Sequence, residues 1–258
     1  MKLTVCELSD NEQDFVNDWE QLKTHLDAHQ PELLLLPELP FCRWIASAET
    51  IDNDVKIQSI EQHEQWLSRL DDLNAKYVVY TRPVIAGDKF FNTSFVYQKG
   101  AGHTKLHTKS YFPEEPHFWE ETWYDAEEGK PFEALQLDGF KIGAMLCTEM
   151  WFTQYARQYG KHGVDILVCP RATGKGSVPQ WVRCGQTLAI VSGAYCLSSN
   201  KSGAGTNNFQ WGGNGFIAQP MDGELLGVTD TDGKFVTHEI NLGKSKKAKA
   251  DYPLYVKE

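Results

Sequence analysis

No C-x-x-C pair occurs in the 258 residues, although six cysteines do: Cys6, Cys42, Cys147, Cys169, Cys184 and Cys196. Their irregular spacing encodes neither a zinc site nor a redox motif, so no metal and no cofactor is expected. Most of the six are expected to be buried thiols in a reducing compartment. Long apolar runs are also missing. The longest unbroken aliphatic stretch, Leu33 to Leu36, is far too short to span a bilayer. The first residues, MKLTVCELSDNEQDF, lack the apolar core of a signal peptide, and the expectation is a cytoplasmic protein with no membrane partner. Basic charge is in deficit, with 25 Lys and Arg against 35 Asp and Glu and a formal net charge of −10. That balance works against phosphate binding, so nucleic acid is not an expected partner. Internal repeats and low-complexity segments are absent as well, which predicts one domain over residues 1–258.

What is present is the material of a sizeable core. Hydrophobic residues make up 41% and charged residues 23%, a globular composition. At this length folding hides roughly 70–75% of the chain's surface, so the fold needs neither disulfides nor a structural metal. Short apolar runs alternate with amphipathic stretches. Residues 2–8, 33–37, 77–86, 91–98, 141–147, 165–169, 194–199, 216–219 and 235–240 read as strands, and 11–29, 57–75, 153–162 and 179–192 as helices. Strands as uniformly apolar as LLLLP and DILVCP are expected where both faces of a sheet are covered, which predicts an α/β layered fold. VIAGDKFFNTSFVYQKG reads as an antiparallel hairpin, so the sheet should be mixed. The end of the chain, GKSKKAKADYPLYVKE (244–258 for the arm as a whole), reads as a solvated linker leading to a docking strand or arm.

Chemistry in α/β folds collects at the carboxyl ends of strands, and three such places stand out. In LLLLPELPF, Glu38 follows a strand covered on both sides and is either a surface turn residue or a carboxylate held at the mouth of the sheet as a base. In KIGAMLCTEMWFTQYARQYG, a strand ends at Cys147 and a helix follows. A thiol there faces the positive end of the helix dipole, which favours thiolate, and the Thr148 N–H is placed for an oxyanion. The alternative is a structural cysteine. In TKLHTKSYFPEEPHFWEETWY, charge is interleaved with aromatic rings; a lysine buried among them requires a carboxylate partner, and the alternative is a solvated face.

Glutamate after one strand, lysine in an aromatic loop and cysteine after a later strand, in that order, resemble the Glu-Lys-Cys arrangement of the nitrilase superfamily of carbon–nitrogen hydrolases. The resemblance runs from the first strand to about Leu226. LPELPF resembles the glutamate motif, TKSYFPEEPHFWEETWY the lysine motif and IGAMLCTEMWF the cysteine motif. FFNTSFVYQKG is similar to the family's Asn-containing strand pair, DILVCPRATG to its post-cysteine strand and GGNGFIAQPMDGELLG to its late hairpin. Within the superfamily, Trp151 and Arg157 and the loop spacing resemble the N-carbamoylputrescine amidase branch. The chain departs from that branch at Thr148 and Glu149, where an aromatic residue and an aspartate stand, at Thr153 and Gln154, and at Leu188 and Val191.

The resemblance implies a four-layer αββα sandwich, commonly paired as a homodimer or higher homo-oligomer. It implies Cys147 as nucleophile, Glu38 as general base, Lys109 and the Thr148 N–H as oxyanion donors, and a second glutamate at Glu120, with Glu121 beside it as the alternative. The implied partner is a small amide or N-carbamoyl compound, cleaved through a thioester with loss of ammonia. Trp151, Phe112 and Phe118 are candidates for the pocket wall. Arg171 and Lys175 follow the strand DILVCP and would favour a carboxylate-bearing substrate, whereas the loop glutamates would favour an amine. Two rivals remain: a nitrilase or acyl transferase on the same triad, and a non-catalytic binding protein that keeps the fold.

Overall fold

A computed structural model describes residues 1–129 and 132–256. Its strands are β1 (Lys2–Ser9), β2 (Leu33–Leu35), β3 (Tyr77–Ala86), β4 (Lys89–Gln98), β5 (Gly102–Thr108), β6 (Glu114–Glu115), β7 (Phe118–Trp119), β8 (Leu135–Leu137), β9 (Phe140–Ala144), β10 (Ile166–Arg171), β11 (Tyr195–Ser202), β12 (Phe216–Ala218), β13 (Leu225–Val228) and β14 (Phe235–Glu239). The helices are α1 (Glu12–His29), α2 (Asn53–Leu67), α3 (Glu120–Trp123), α4 (Thr153–Lys161), α5 (Val178–Ser192) and α6 (Leu242–Ala250).

Side-chain alternation along the strands builds the layers. Leu3 and Val5 of β1, Leu33 and Leu35 of β2, and Tyr77 and Val79 of β3 point to one face, where they meet Ile142, Ala144, Ile166, Val168, Tyr195 and Leu197 of the other sheet half. The opposite face of the first half, with Cys6, Leu8, Leu34, Val78 and Tyr80, is covered by Phe15, Trp19, Leu22 and Leu26 of α1. The opposite face of the second half, with Leu167, Cys169 and Cys196, is covered by α4 and α5 through Ala156, Tyr159, Cys184 and Leu188. The result is the αββα sandwich. This explains the LLLL run: alternate leucines serve two different cores.

The first half has the order β5-β4-β3-β2-β1 and the second β11-β10-β9-β8, with β14 beside β1 and β12 and β13 beside β11. β1, β2 and β3 run parallel, whereas β3, β4 and β5 form an antiparallel meander, so the sheet is mixed. The two halves join where the end of β1 runs parallel to the end of β11, pairing Glu7 with Asn200 and Ser9 with Ser202. β6 and β7 form a hairpin of their own outside the main sheet.

The C-terminal segment differs from the expected solvated linker. Residues Leu242–Ala250 are helical, capped by the Asn241 side chain on the Gly243 N–H. Ser245 Oγ and Lys249 Nζ both donate to the Gly193 carbonyl, and Arg157 of α4 donates to the carbonyls of Pro253 and Val256. Lysine spacing hid a helix whose small residues, Ser245 and Ala248, face inward. The last two residues of the expected arm lie outside the described residues. Among the described residues, no helix is long and apolar enough to cross a membrane.

Candidate active site

Glu38 follows β2 in a turn closed by Leu39, whose backbone takes a left-handed φ of 45°. The Glu38 N–H donates to the Arg171 carbonyl at 3.2 Å and the Leu39 N–H to Thr81 Oγ1 at 2.6 Å. The carboxylate is fully buried. Its Oε1 accepts from Asn92 Nδ2 at 2.8 Å and from Lys109 Nζ at 2.7 Å, whereas Oε2 has no hydrogen-bond partner among the described residues.

The register of the meander brings the lysine to this carboxylate. Thr93 of β4 pairs with Thr108 of β5, and one residue on, the Lys109 N–H donates to the Asn92 carbonyl at 2.8 Å. Asn92 therefore fixes Lys109 with its backbone and Glu38 with its side chain. The Lys109 ammonium also donates to Glu120 Oε2 at 2.5 Å. Glu120 is the buried member of its pair, at the start of α3, and Glu121 is exposed, so Glu120 is the glutamate that meets the lysine.

Three buried ionisable groups thus share one small volume, and two carboxylates face one ammonium. Burial opposes the charge on Lys109, but Glu120 and Glu38 outweigh it and hold the ammonium above its ordinary range. For Glu120 burial wins over Lys109, and its carboxyl is pushed up to about 8. Burial thus favours the protonated form of the Glu120 carboxyl, and the Lys109 ammonium opposes it.

Cys147 ends the segment after β9 and opens a single tight turn, Cys147–Trp151, with a φ of 48°. A left-handed conformation at a residue with a Cβ is uncommon and concentrates at functional positions. The thiol is 3% exposed and points at the Ala172 carbonyl 3.9 Å away. The expected thiolate is not supported. The turn is only five residues long and α4 starts at Thr153, while burial, followed by the Glu38 charge, pushes the Cys147 thiol up, against a smaller downward pull from Lys109. The N–H of Thr148, at the head of this turn, is among those a helical turn leaves without an internal partner.

Cys147 and Glu120 line a cavity of about 270 Å³ together with Thr148, Trp151, Trp181, Phe118, Thr173 and Glu115. Trp151 is half exposed and packs on Trp181 at 4.8 Å between ring centroids. The β6–β7 hairpin contributes Glu115 and Phe118 as one wall. Phe112 and Arg171 do not line it. Phe112 stacks on Tyr124 at 6.2 Å. The Arg171 guanidinium is fully buried, donating to Ser198 Oγ, Thr173 Oγ1 and the Asn214 carbonyl at 2.6, 3.2 and 2.7 Å, over the Phe216 ring. Its donors are engaged inside the fold, and what it lends to the site is its main-chain carbonyl. Lys175 is exposed and also outside the lining.

Three site residues escaped the sequence reading. Glu149 was seen only as a departure and Asn92 only as part of a strand pair, because neither lies directly after an apolar run. Trp181 sits one turn into α5, where an aromatic residue reads as ordinary core.

The carbon–nitrogen hydrolase family model matches residues 4–250. Among curated proteins, the chain is 25% identical over 187 residues to an N-carbamoylputrescine amidase of Solanum tuberosum, covering 66% of this chain and 61% of that protein. The match thus spans less than two thirds of that relative's length. Among solved structures, a carbon–nitrogen hydrolase from Helicobacter pylori G27 superposes with a TM-score of 0.87 at 19% identity, over 99% of this chain and 94% of that one. A glutamate-to-glutamine mutant of the amidase from Nesterenkonia sp. AN1, with the acetamide moiety of fluoroacetamide on its active-site cysteine, superposes with a TM-score of 0.76 at 16% identity, over 96% and 92%. The fold of those structures is shared throughout, and with the family model spanning nearly the whole sequence, the chain belongs to the carbon–nitrogen hydrolase family.

Proposed function

We propose that this protein hydrolyses the C–N bond of a small amide or N-carbamoyl compound through a thioester on Cys147, releasing ammonia. The observation that carries this reading is the buried Glu38–Lys109–Glu120 cluster around a strained, cavity-facing cysteine: the charges of Glu38, Lys109 and Glu120 all act on its thiol. A fold without turnover has no need for two buried carboxylates and a buried ammonium, whose desolvation is costly.

In this mechanism Glu38 Oε2, the unpartnered oxygen, takes the thiol proton as Sγ attacks the carbonyl carbon. The oxygen that becomes negative is stabilised by the Lys109 ammonium and the Thr148 N–H; one such donor is worth roughly 3–4 kcal/mol of barrier. Collapse expels ammonia, which carries away the proton held on Glu38, and leaves the thioester. Glu38 then takes a proton from water as the water attacks, and the acid leaves as Sγ regains its proton. Asn92 keeps Glu38 turned toward the thiol, and Glu120 keeps Lys109 in place.

The cavity favours an amine-bearing over a carboxylate-bearing substrate. Among its lining residues, Glu115 at the wall supplies negative charge and Trp151 and Trp181 supply ring faces suited to a cation; the lining has no lysine or arginine, and the Lys109 ammonium used on the oxyanion is already met by Glu38 and Glu120. An ammonia-release panel of amides, N-carbamoyl amines and nitriles tests the proposal, with intact-mass detection of the acylated enzyme. Ammonia from an amide or carbamoyl amine, lost in Cys147→Ala, supports it. Ammonia release undiminished in Cys147→Ala removes it, and product transfer to an added amine instead of water identifies an acyl transferase.

A further inference from the structure

We propose that Glu149, two residues beyond the nucleophile, is a positioning residue that sets the separation between Lys109 and Cys147. The inference rests on the reading of Cys147 as nucleophile. The Glu149 side chain is fully buried and its two oxygens are spent on the two halves of the site. Oε1 accepts the N–H of Ser110, the residue after Lys109, at 2.7 Å. Oε2 accepts the N–H of Leu146, the residue before Cys147, at 2.8 Å. His107, two residues before Lys109, contacts the same Oε2 through Nε2 at 2.8 Å and fixes the rotation of the carboxylate. The Glu149 N–H closes the turn by donating to the Leu146 carbonyl at 3.1 Å.

One carboxylate therefore ties the lysine segment to the cysteine turn across a gap that no sheet ladder bridges at that point: Ser110 lies beyond β5 and Leu146 beyond β9. Both contacts are to backbone N–H groups, so they fix main-chain position and leave side-chain identity at 110 and 146 free. They also act next to the left-handed Cys147. A residue in such a conformation persists when its surroundings over-determine it. Glu149 does not line the cavity; it acts on the chemistry through the two residues it holds.

A glutamine cannot replace it. Its amide group presents a donor where the carboxylate accepts, so either the Ser110 or the Leu146 N–H loses its partner. An aspartate keeps both acceptors on a stem one methylene shorter and reaches one grip fully.

Iodoacetamide alkylation with peptide mapping of all six cysteines, on the whole protein, reads the position of the thiol without a substrate. In the parent protein Cys147 is expected to label first, because it lines the cavity and Glu38 takes its proton as the sulfur attacks the reagent. In folded Glu149→Gln its rate is expected to fall at least tenfold, and in Glu149→Asp to lie between the two. Gly160→Ala, a packing variant away from the site, is expected to lower Tm and leave the Cys147 rate unchanged, which separates positioning from loss of stability. If the parent labels selectively and folded Glu149→Gln and Glu149→Asp match it, the positioning role is overturned while the nucleophile reading stands. If Cys147 of the parent is no more reactive than the other five, the nucleophile reading falls and the positioning role with it. Should Glu149→Gln yield no folded protein, Glu149→Asp decides alone, and the parent rate in that variant overturns the proposal.

Discussion

Glu120→Gln is expected to make the protein more resistant to alkaline destabilisation. The Glu120 carboxyl is held at about 8 in the fold, against an ordinary value of 4.5. A carboxyl whose pKa is raised on folding adds no penalty below 4.5; the penalty then grows as pH climbs from 4.5 to 8 and is constant above, because across that window the native state binds more protons than the unfolded chain. Each unit is worth about 1.36 kcal/mol, so the two units between pH 6 and pH 8 correspond to roughly 3 kcal/mol. For a chain of this size about 2–4 °C of Tm accompanies each kcal/mol, giving a fall of roughly 6–12 °C from this one group. Glutamine reproduces the neutral carboxyl. Its oxygen accepts from Lys109, and its amide takes the place of Oε1, which has no hydrogen-bond partner among the described residues. Buried thiols such as Cys6 and Cys42, both pushed upward by burial, also erode stability above pH 8, but equally in both proteins. The assay is thermal unfolding followed by circular dichroism at half-unit steps from pH 5 to pH 9. The difference in Tm between variant and parent should grow in favour of the variant as pH rises from 6 to 8 and then level off. Parallel curves would refute the reasoning, because they would mean that Glu120 is already ionised in the fold.

Other outcomes follow from the packing and the site. Glu38→Gln is expected to abolish ammonia release while unfolding cooperatively, checked by the substrate panel beside thermal unfolding; turnover within a factor of ten of the parent would exclude Glu38 as the base. Gly160→Ala should lose roughly 1–3 kcal/mol, since a Cβ there would overlap the Ser192 carbonyl oxygen where α4 crosses the end of α5; Gly176→Ala, with open space around it, should stay within about 0.5 kcal/mol of the parent in denaturant titration. Trp151→Ala should raise KM about 5- to 30-fold with a smaller change in kcat, because its half-exposed ring lines the cavity and its loss removes roughly 1–2 kcal/mol of substrate contact. Dialysis against a metal chelator should leave ammonia release unchanged, and activity restored by added zinc would overturn that expectation.

The layered architecture was legible because period-two alternation is written directly in the strands: Leu33 and Leu35 against Leu34 and Leu36 already state that a sheet is covered on both faces. The Glu38 and Cys147 segments stood out because each follows an apolar run, whereas the Lys109 segment stood out by charge interleaved with aromatic rings, and the family resemblance singled out Lys109 within it. What the sequence could not convey was direction. Arg171 also ends a strand, yet its guanidinium turns inward to Ser198 and Asn214, contacts set by residues about 30 to 40 positions away. The protonation of Cys147 was misjudged for a similar reason. A helix dipole can be inferred from neighbours in sequence, whereas burial and the nearness of Glu38 depend on the closed sandwich. Glu149 and Asn92 work through backbone groups of distant segments, and nothing in their local composition marks that.

The seam between β1 and β11 has a consequence for how the chain reaches this state. β1 precedes all the other strands described, but its partners β11 and β14 lie beyond residue 194. Until they arrive, one edge of the strand carrying Cys6 and Leu8 stays unpaired, and such edges recruit other chains. The Glu38 N–H likewise waits for Arg171 to supply its carbonyl. The arrangement of Glu38, Lys109 and Cys147 is therefore assembled by contacts of high sequence separation, which form slowly. A segment that stops before β10 holds Glu38, Lys109 and Cys147 without the Arg171 carbonyl that receives the Glu38 N–H, so the arrangement of the three side chains depends on strands that lie after all of them in sequence.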